Sequence, residues 1–158
     1  MKMITLKPIT MENVWDIYSL KADKKLVASN AESLAEAYAF LNEFGPDLLL
    51  VRGIYKDELA VGFLMVDLGT DWGFDNGGEP YYNLWRLMID ENHQNKGYGR
   101  AAMELLIEEL KSGIHGKART FYSATAAESS VTPKFYASFG MKPTGEMDGD
   151  ETIIKMSW

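Results

Sequence analysis

The sequence predicts one mixed domain (α/β in content, α+β in arrangement), with a mostly antiparallel central sheet of about seven strands flanked by about four helices. Three observations predict it. The chain has 158 residues, about one domain's worth, so a single core over 1–158 is expected. The apolar segments read in the order β-α-α-β-β-β-α-β-α-β-β. Hairpins mixed with single crossover helices build a mixed sheet, whereas a dinucleotide fold would alternate strand and helix throughout.

Each element has a local reason. Met3–Lys7 reads as a short strand ended by Pro8. Thr10 can N-cap a helix running to about Leu20, with Val14 and Tyr18 on one face and Trp15 beside them. Ser29-Asn30-Ala31-Glu32 fits a capping box. Leu34, Ala37, Tyr38 and Leu41 follow at helical spacing, and Gly45-Pro46 stops that helix. Leu48–Tyr55 and Leu59–Val66 form a hairpin across Lys56-Asp57-Glu58. A long Gly-rich acidic loop, Leu68–Pro80, precedes the strand Tyr82–Ile89. Gly97–Lys111 is an amphipathic helix with Ala102, Leu105, Leu106 and Leu110, closed by Gly113. Ala118–Ala124 is a strand. Thr132 and Pro133 read as N-cap and first residue of a short helix that Gly140 ends. Lys142–Met147 and Thr152–Met156 form a last hairpin across Asp148-Gly149.

Composition excludes several function classes. No cysteine is present, which removes disulfides, a cysteine nucleophile and Cys-based metal sites. Only His93 and His115 are available as imidazoles, so no metal centre is expected. Net charge is −7, and no basic stripe offers a duplex a surface, so no nucleic-acid partner is expected. An acidic body suits solubility and also a cationic substrate. No apolar run reaches the ~20 residues of a membrane span. Met1–Lys7 lacks the apolar segment and cleavage site of a signal peptide, which gives a cytoplasmic expectation.

The most informative stretch is Trp85 to Arg100. An apolar strand feeds a polar turn, and the turn feeds a helix start at Gly97-Tyr98-Gly99. The first N–H groups of a helix have no intrahelical acceptor, and the dipole there favours an anion. Glycines at 97 and 99 let backbone approach a diphosphate, and Lys96 and Arg100 add positive charge. An ordinary strand–turn–helix is one alternative. A dinucleotide fingerprint is another, since Gly97, Gly99 and Ala102 satisfy G-x-G-x-x-G/A. That alternative is weakened by the long polar run Asp90–Lys96, and by Tyr122-Ser123 where a ribose-binding acid would stand.

Gln94-Asn95-Lys96-Gly97-Tyr98-Gly99 resembles the Q/R-x-x-G-x-G/A motif of the GNAT family of N-acetyltransferases, with Ile89-Asp90 at that family's usual distance before it. Phe135-Tyr136-Ala137-Ser138-Phe139-Gly140-Met141 is similar to the family's second signature, and the strand order is also the family's. The resemblance covers essentially the whole chain. Val61-Gly62-Phe63, Arg86–Asp90 and Thr144-Gly145-Glu146 with Gly149 and Glu151 look closest to the spermine/spermidine acetyltransferases of the Bacillus type. Two departures from the pattern matter: Ser129 stands where the family often has a cofactor-contacting Asn, and Pro133 shortens the helix that carries Tyr136, whereas Met141 for Phe is a tolerable apolar swap.

The resemblance implies acetyl transfer from acetyl-CoA to a primary amine by direct attack in a ternary complex. It implies that the backbone of Met88 and Ile89 holds pantetheine, that Gln94, Asn95, Lys96, Gly97, Tyr98, Gly99 and Arg100 wrap the diphosphate, and that Ser129 touches the cofactor. It assigns Tyr136 as general acid, since a phenol of pKa ~10 is neutral at pH 7 and can protonate a leaving thiolate. Read from its neighbours alone, Tyr136 is a core aromatic between Phe135 and Phe139 rather than an acid, and it is the resemblance that reverses this. A base must also take the proton of an ammonium group; Glu79, Asp75 or a water chain are candidates. Many relatives are dimers, so a homodimer is a further expectation.

For the acceptor, the loop after the third strand offers Asp67, Asp71, Asp75 and Glu79 among Trp72, Phe74, Tyr81 and Tyr82. Carboxylates pair with ammonium groups and aromatic faces attract cations, so Asp71, Trp72, Asp75 and Glu79 are candidate contacts for a small cationic amine such as spermidine. A solvated surface loop would carry the same residues. The other readings kept open are another amine (aminoglycoside, peptide N-terminus, small metabolite) and a non-catalytic acyl-CoA-binding or polyamine-sensing module.

Overall fold

In the computed structural model the described residues are 3–22, 29–68, 73–126, 129 and 132–158. They form one seven-stranded mixed sheet. The strands are β1 (Ile4–Pro8), β2 (Leu49–Lys56), β3 (Leu59–Asp67), β4 (Tyr82–Ile89), β5 (Thr120–Ala126), β6 (Lys142–Asp148) and β7 (Glu151–Ser157). The helices are α1 (Val14–Tyr18), α2 (Asn30–Phe44), α3 (Tyr98–Lys111) and α4 (Thr132–Ala137), with a 3₁₀ turn at Pro46–Leu48. Strand order is β1-β2-β3-β4-β5-β7-β6, and β4–β5 is the one parallel pair.

The sheet separates two apolar layers. Val61, Leu64, Tyr82, Leu84, Leu106 and Phe121 pack on the α3 side. Ile17, Ala37, Phe40, Phe63, Met65 and Met88 pack on the α1–α2 side. Alternation along β3 supplies both, so this strand is buried on both faces.

Several local expectations need correction. The first helix starts at Val14 rather than after Thr10: residues 11–13 form a turn in which Asn13 N–H and Val14 N–H share the Thr10 carbonyl. One helical turn presents one side chain to the sheet: Ile17 is fully buried, while Trp15 is 66% exposed and Tyr18 51%. In α2 the Ser29–Glu32 capping box forms in both directions. Its buried face is Asn30, Ser33, Ala37 and Phe40, and Tyr38 points to solvent at 74% exposure. In α3 the buried set includes Tyr98, Met103 and Ile107, and Leu105 is exposed. β5 begins at Thr120, two residues later than its apolar pattern begins, since Ala118 belongs to the core under the preceding turn. Ser129, rather than Thr132, accepts the capping bond of α4, from Thr132 N–H at 3.1 Å.

Candidate active site

The sheet opens between β4 and β5. The two strands pair only at Tyr82↔Phe121 and Asn83↔Tyr122, then diverge. One residue past the last pair, the Ser123 hydroxyl donates to the Leu84 carbonyl at 3.3 Å. A side chain there takes the place of a ladder bond. Opposite, β4 stays registered to β3 from Asn83 to Ile89, with one irregularity at Met65/Val66.

A cavity of about 580 Å³ fills the fork. Leu84 to Leu87 form its β4 wall and Ser123 to Ala126 its β5 wall. Ser129, Thr132 and Tyr136 line it as well, as do Asp67, Phe74, Asp148 and Glu151. Tyr136 is 7% exposed. Burial pushes its phenol up to about 12; a hydrogen bond with Ser123 opposes that rise and the Glu151 carboxylate adds to it. The group therefore keeps its proton at any working pH.

The turn after β4 is built around Asp90. Its carboxylate is buried and accepts Lys21 N–H at 2.8 Å, Asn92 N–H at 2.9 Å and Asn92 Nδ2 at 3.1 Å. Burial works against the charge, but these bonds outweigh it and hold the carboxyl below the usual range. Asp90 N–H in turn donates to Val61 O at 2.8 Å, so the turn is fastened to β3 and to the segment before α2. Gln94 Nε2 donates to Ile89 O at 3.1 Å, and Lys96 Nζ to Asn92 O at 2.8 Å. Asn95 (φ 59°) and Gly97 (φ 81°) adopt left-handed backbone, which bends the chain into α3.

The first intrahelical bond of α3 runs from Ala101 N–H to Gly97 O. The N–H groups of Tyr98, Gly99 and Arg100 thus precede the ladder. A Cβ at Gly97 would meet nothing within 4 Å, so the space in front of this helix end is open. Arg100 lies over the Phe139 ring at 5.0 Å and donates to Ser138 Oγ at 2.8 Å. Amides, a positive dipole end and two cations in open space fit a diphosphate.

Helix α4 connects turn and cavity. Phe135 reaches toward Gly99, and next to it Tyr136 lines the fork, the two rings 5.2 Å apart. The structure thus brings Tyr136 and Ser129 together in the cavity and sets Gln94 to Arg100 beside it, outside its lining. Met88 is buried on the α1–α2 side, and neither it nor Ile89 lines the cavity; Leu84 to Leu87 do.

At the acceptor end the carboxylates differ from those the loop suggested. Asp75 Oδ1 accepts Gly77 N–H at 3.0 Å within its own turn, and Glu79 is exposed. Neither lines the cavity, and Asp71 and Trp72 lie outside the described residues. Asp67, 1% exposed and bonded by Asn83 Nδ2 at 2.8 Å, lines it with Asp148 and Glu151. The last two are register partners at the β6–β7 turn, so only the hairpin's position on the sheet identifies them. Arg86 is engaged by Glu36 at 2.9 Å and by the Trp85 carbonyl, leaving it a structural partner of α2. Among the described residues no cluster of acidic or imidazole groups could hold a metal ion, and no helix is long and apolar enough to cross a membrane.

Comparison with known proteins supports this geometry. A search of curated proteins finds no match to the sequence. Solved structures with the same fold include aminoglycoside acetyltransferase AAC(6')-Ib in complex with coenzyme A, at 12% identity and TM-score 0.76, covering 98% of this chain and 95% of that one. PaiA N-acetyltransferase from Thermoplasma acidophilum in complex with coenzyme A matches at 15% identity and TM-score 0.66 over 99% of both chains. The ribosomal-protein-S18-alanine N-acetyltransferase of Escherichia coli matches at 21% identity and TM-score 0.66, over 98% of this chain and 92% of that one. The family model described as the acetyltransferase (GNAT) family matches residues 14–141, a span that holds the parted strands, the glycine turn and Tyr136. The chain therefore belongs to the acetyltransferase (GNAT) family and is an acetyl-CoA-dependent N-acetyltransferase.

Proposed function

We propose that the enzyme acetylates a small cationic amine, with a linear polyamine such as spermidine or spermine as the acceptor class that fits best. One observation carries the reading: the cavity that contains Tyr136 is lined by Asp67, Asp148 and Glu151, while Arg86, the one cation of its lining among the described residues, is already engaged by Glu36. Three carboxylates in the lining of one small cavity favour a substrate with spaced positive charge. Acetyl-CoA supplies the activated acyl group when bound; the amides of Tyr98 to Arg100 with Lys96 and Arg100 hold its diphosphate. The β4 edge from Leu84 to Leu87, past its last ladder pair with β5, and Ser129 lie along its acyl arm. Tyr136, kept neutral by burial, gives its proton to the departing thiolate.

Aminoglycosides are polycationic too, and one structural neighbour is an aminoglycoside acetyltransferase. A free-thiol release assay with acetyl-CoA and a panel of spermidine, spermine, an aminoglycoside, lysine and an alanine-terminal peptide separates these acceptors. Highest kcat/KM on a polyamine is expected. A preference for the singly charged peptide would overturn the polyamine reading. Coenzyme A binding without thiol release on any amine would instead favour a sensing module.

A further inference from the structure

We infer that Phe74 is a specificity-determining residue: an aromatic shelf, fixed in place by Tyr122, against which the aliphatic stem and ammonium group of the acceptor rest. The inference builds on the amine reading above and names the residue that selects among amines.

The loop before β4 looked, as a sequence, like a source of carboxylates. The side chains of Asp75 and Asn76 instead bond within the loop. Asp75 caps Gly77 N–H, Asn76 Nδ2 donates to the Glu79 carbonyl at 3.0 Å, and Glu79 N–H returns to Asn76 O at 3.2 Å. What the described part of the loop gives the cavity is one ring, that of Phe74.

That ring is held firmly. It stacks on Tyr122 with centroids 4.9 Å apart and planes 9° apart. Tyr81 closes the group, edge-on at 5.6 Å from Phe74 and 5.1 Å from Tyr122, and Ile153 completes it. The Tyr122 hydroxyl also ties the loop, donating toward the Asp75 carbonyl (3.3 Å) and Asn76 Oδ1 (3.2 Å). Tyr122 pairs with Asn83, the last joined position of the fork. The shelf is therefore anchored where the strands begin to part.

Tyr122 covers one face of the ring, and Phe74 lines the same cavity as Asp67, Asp148 and Glu151. An aromatic face is electron-rich and attracts an ammonium group, and its apolar area suits a methylene chain. The carboxylates of the same lining add to that selection. A neutral or anionic acceptor gains from neither.

The test is steady-state kinetics on the intact enzyme with acetyl-CoA and the polyamine. Phe74→Ala is expected to raise KM for the polyamine about tenfold, with kcat and KM for acetyl-CoA within about twofold of wild type. Phe74→Leu, which keeps apolar volume and loses the π face, is expected to raise it about threefold, and Phe74→Tyr to leave it near wild type. Tyr122→Phe keeps the stack, frees the loop backbone and is expected to raise it about threefold. A polyamine KM unmoved in Phe74→Ala, or an equal rise for acetyl-CoA, overturns the inference while wild-type turnover leaves the amine reading standing. No wild-type turnover with any amine overturns that reading and this inference with it.

Discussion

The two long edges of β4 show how a sheet makes room for chemistry. Along one edge β4 is registered to β3 from Asn83 to Ile89. Along the other it meets β5 at two residues and then leaves it. The paired edge is antiparallel and its side chains are buried in both apolar layers. The open edge has the Ser123 hydroxyl in place of a ladder bond and Tyr136 of α4 in the gap. Stability sits on one side of this strand and reactivity on the other. Substitutions on the two sides should therefore separate folding from turnover.

The largest effect should come from the open edge. Tyr136→Phe removes the proton donor and little packing, so kcat in the thiol-release assay should fall about 10²–10³-fold, with coenzyme A affinity by calorimetry nearly unchanged. Full turnover by this variant would take Tyr136 out of the chemistry. On the paired edge, a Cβ at Gly62 would sit 2.2 Å from the Met88 carbonyl oxygen, so the strands would have to separate. Gly62→Ala should lose about 3 kcal/mol in urea unfolding, and thiol release per folded molecule should fall much less.

A third measurement contrasts the same edges through pH. Tyr136 has a folded pKa raised to about 12 against about 10 when unfolded, so the native state holds this proton more tightly. Its contribution is complete below pH ~10 and is lost as pH rises toward 12, a fall of about 2–3 kcal/mol in unfolding free energy. The loss should vanish in Tyr136→Phe. Asp90 behaves oppositely: its lowered pKa adds stability above the normal carboxyl range that is lost as pH falls through the folded value. Asp90→Ala, which leaves the Lys21 and Asn92 amides without their acceptor, should cost about 2 kcal/mol and weaken coenzyme A binding several-fold.

The smallest effect expected is at Gly97. With φ 81° and open space before it, Gly97→Ala should be strained by about 1 kcal/mol and reduce coenzyme A affinity about fivefold. An affinity equal to wild type would remove the left-handed turn from cofactor binding.

Most strands could be read from the chain because each is an apolar run bounded by turn residues, as with Leu59–Asp67. The Ser29 capping box was legible because both partners lie within four residues. The extent of α1 was not, since it depends on which carbonyl the Asn13 and Val14 amides choose. The glycine turn could be read for the same reason as the caps: its conformational demand is local. The carboxylates of the cavity could not. Asp148 and Glu151 look like ordinary turn residues until β7 is laid beside β5, and Asp75 looks like a ligand until its own loop claims it. Local geometry is written in neighbouring residues; what faces a cavity is decided by strands distant in sequence.

The parting of β4 and β5 also leaves a signature in solvent exchange. Leu84 to Leu87 belong to a strand in the middle of the sheet, yet on one flank the ladder to β5 has already ended at Asn83↔Tyr122. Their outward amides should take up deuterium as quickly as those at a sheet border, and slow sharply when the acyl donor arrives, while neighbouring β3 stays protected throughout.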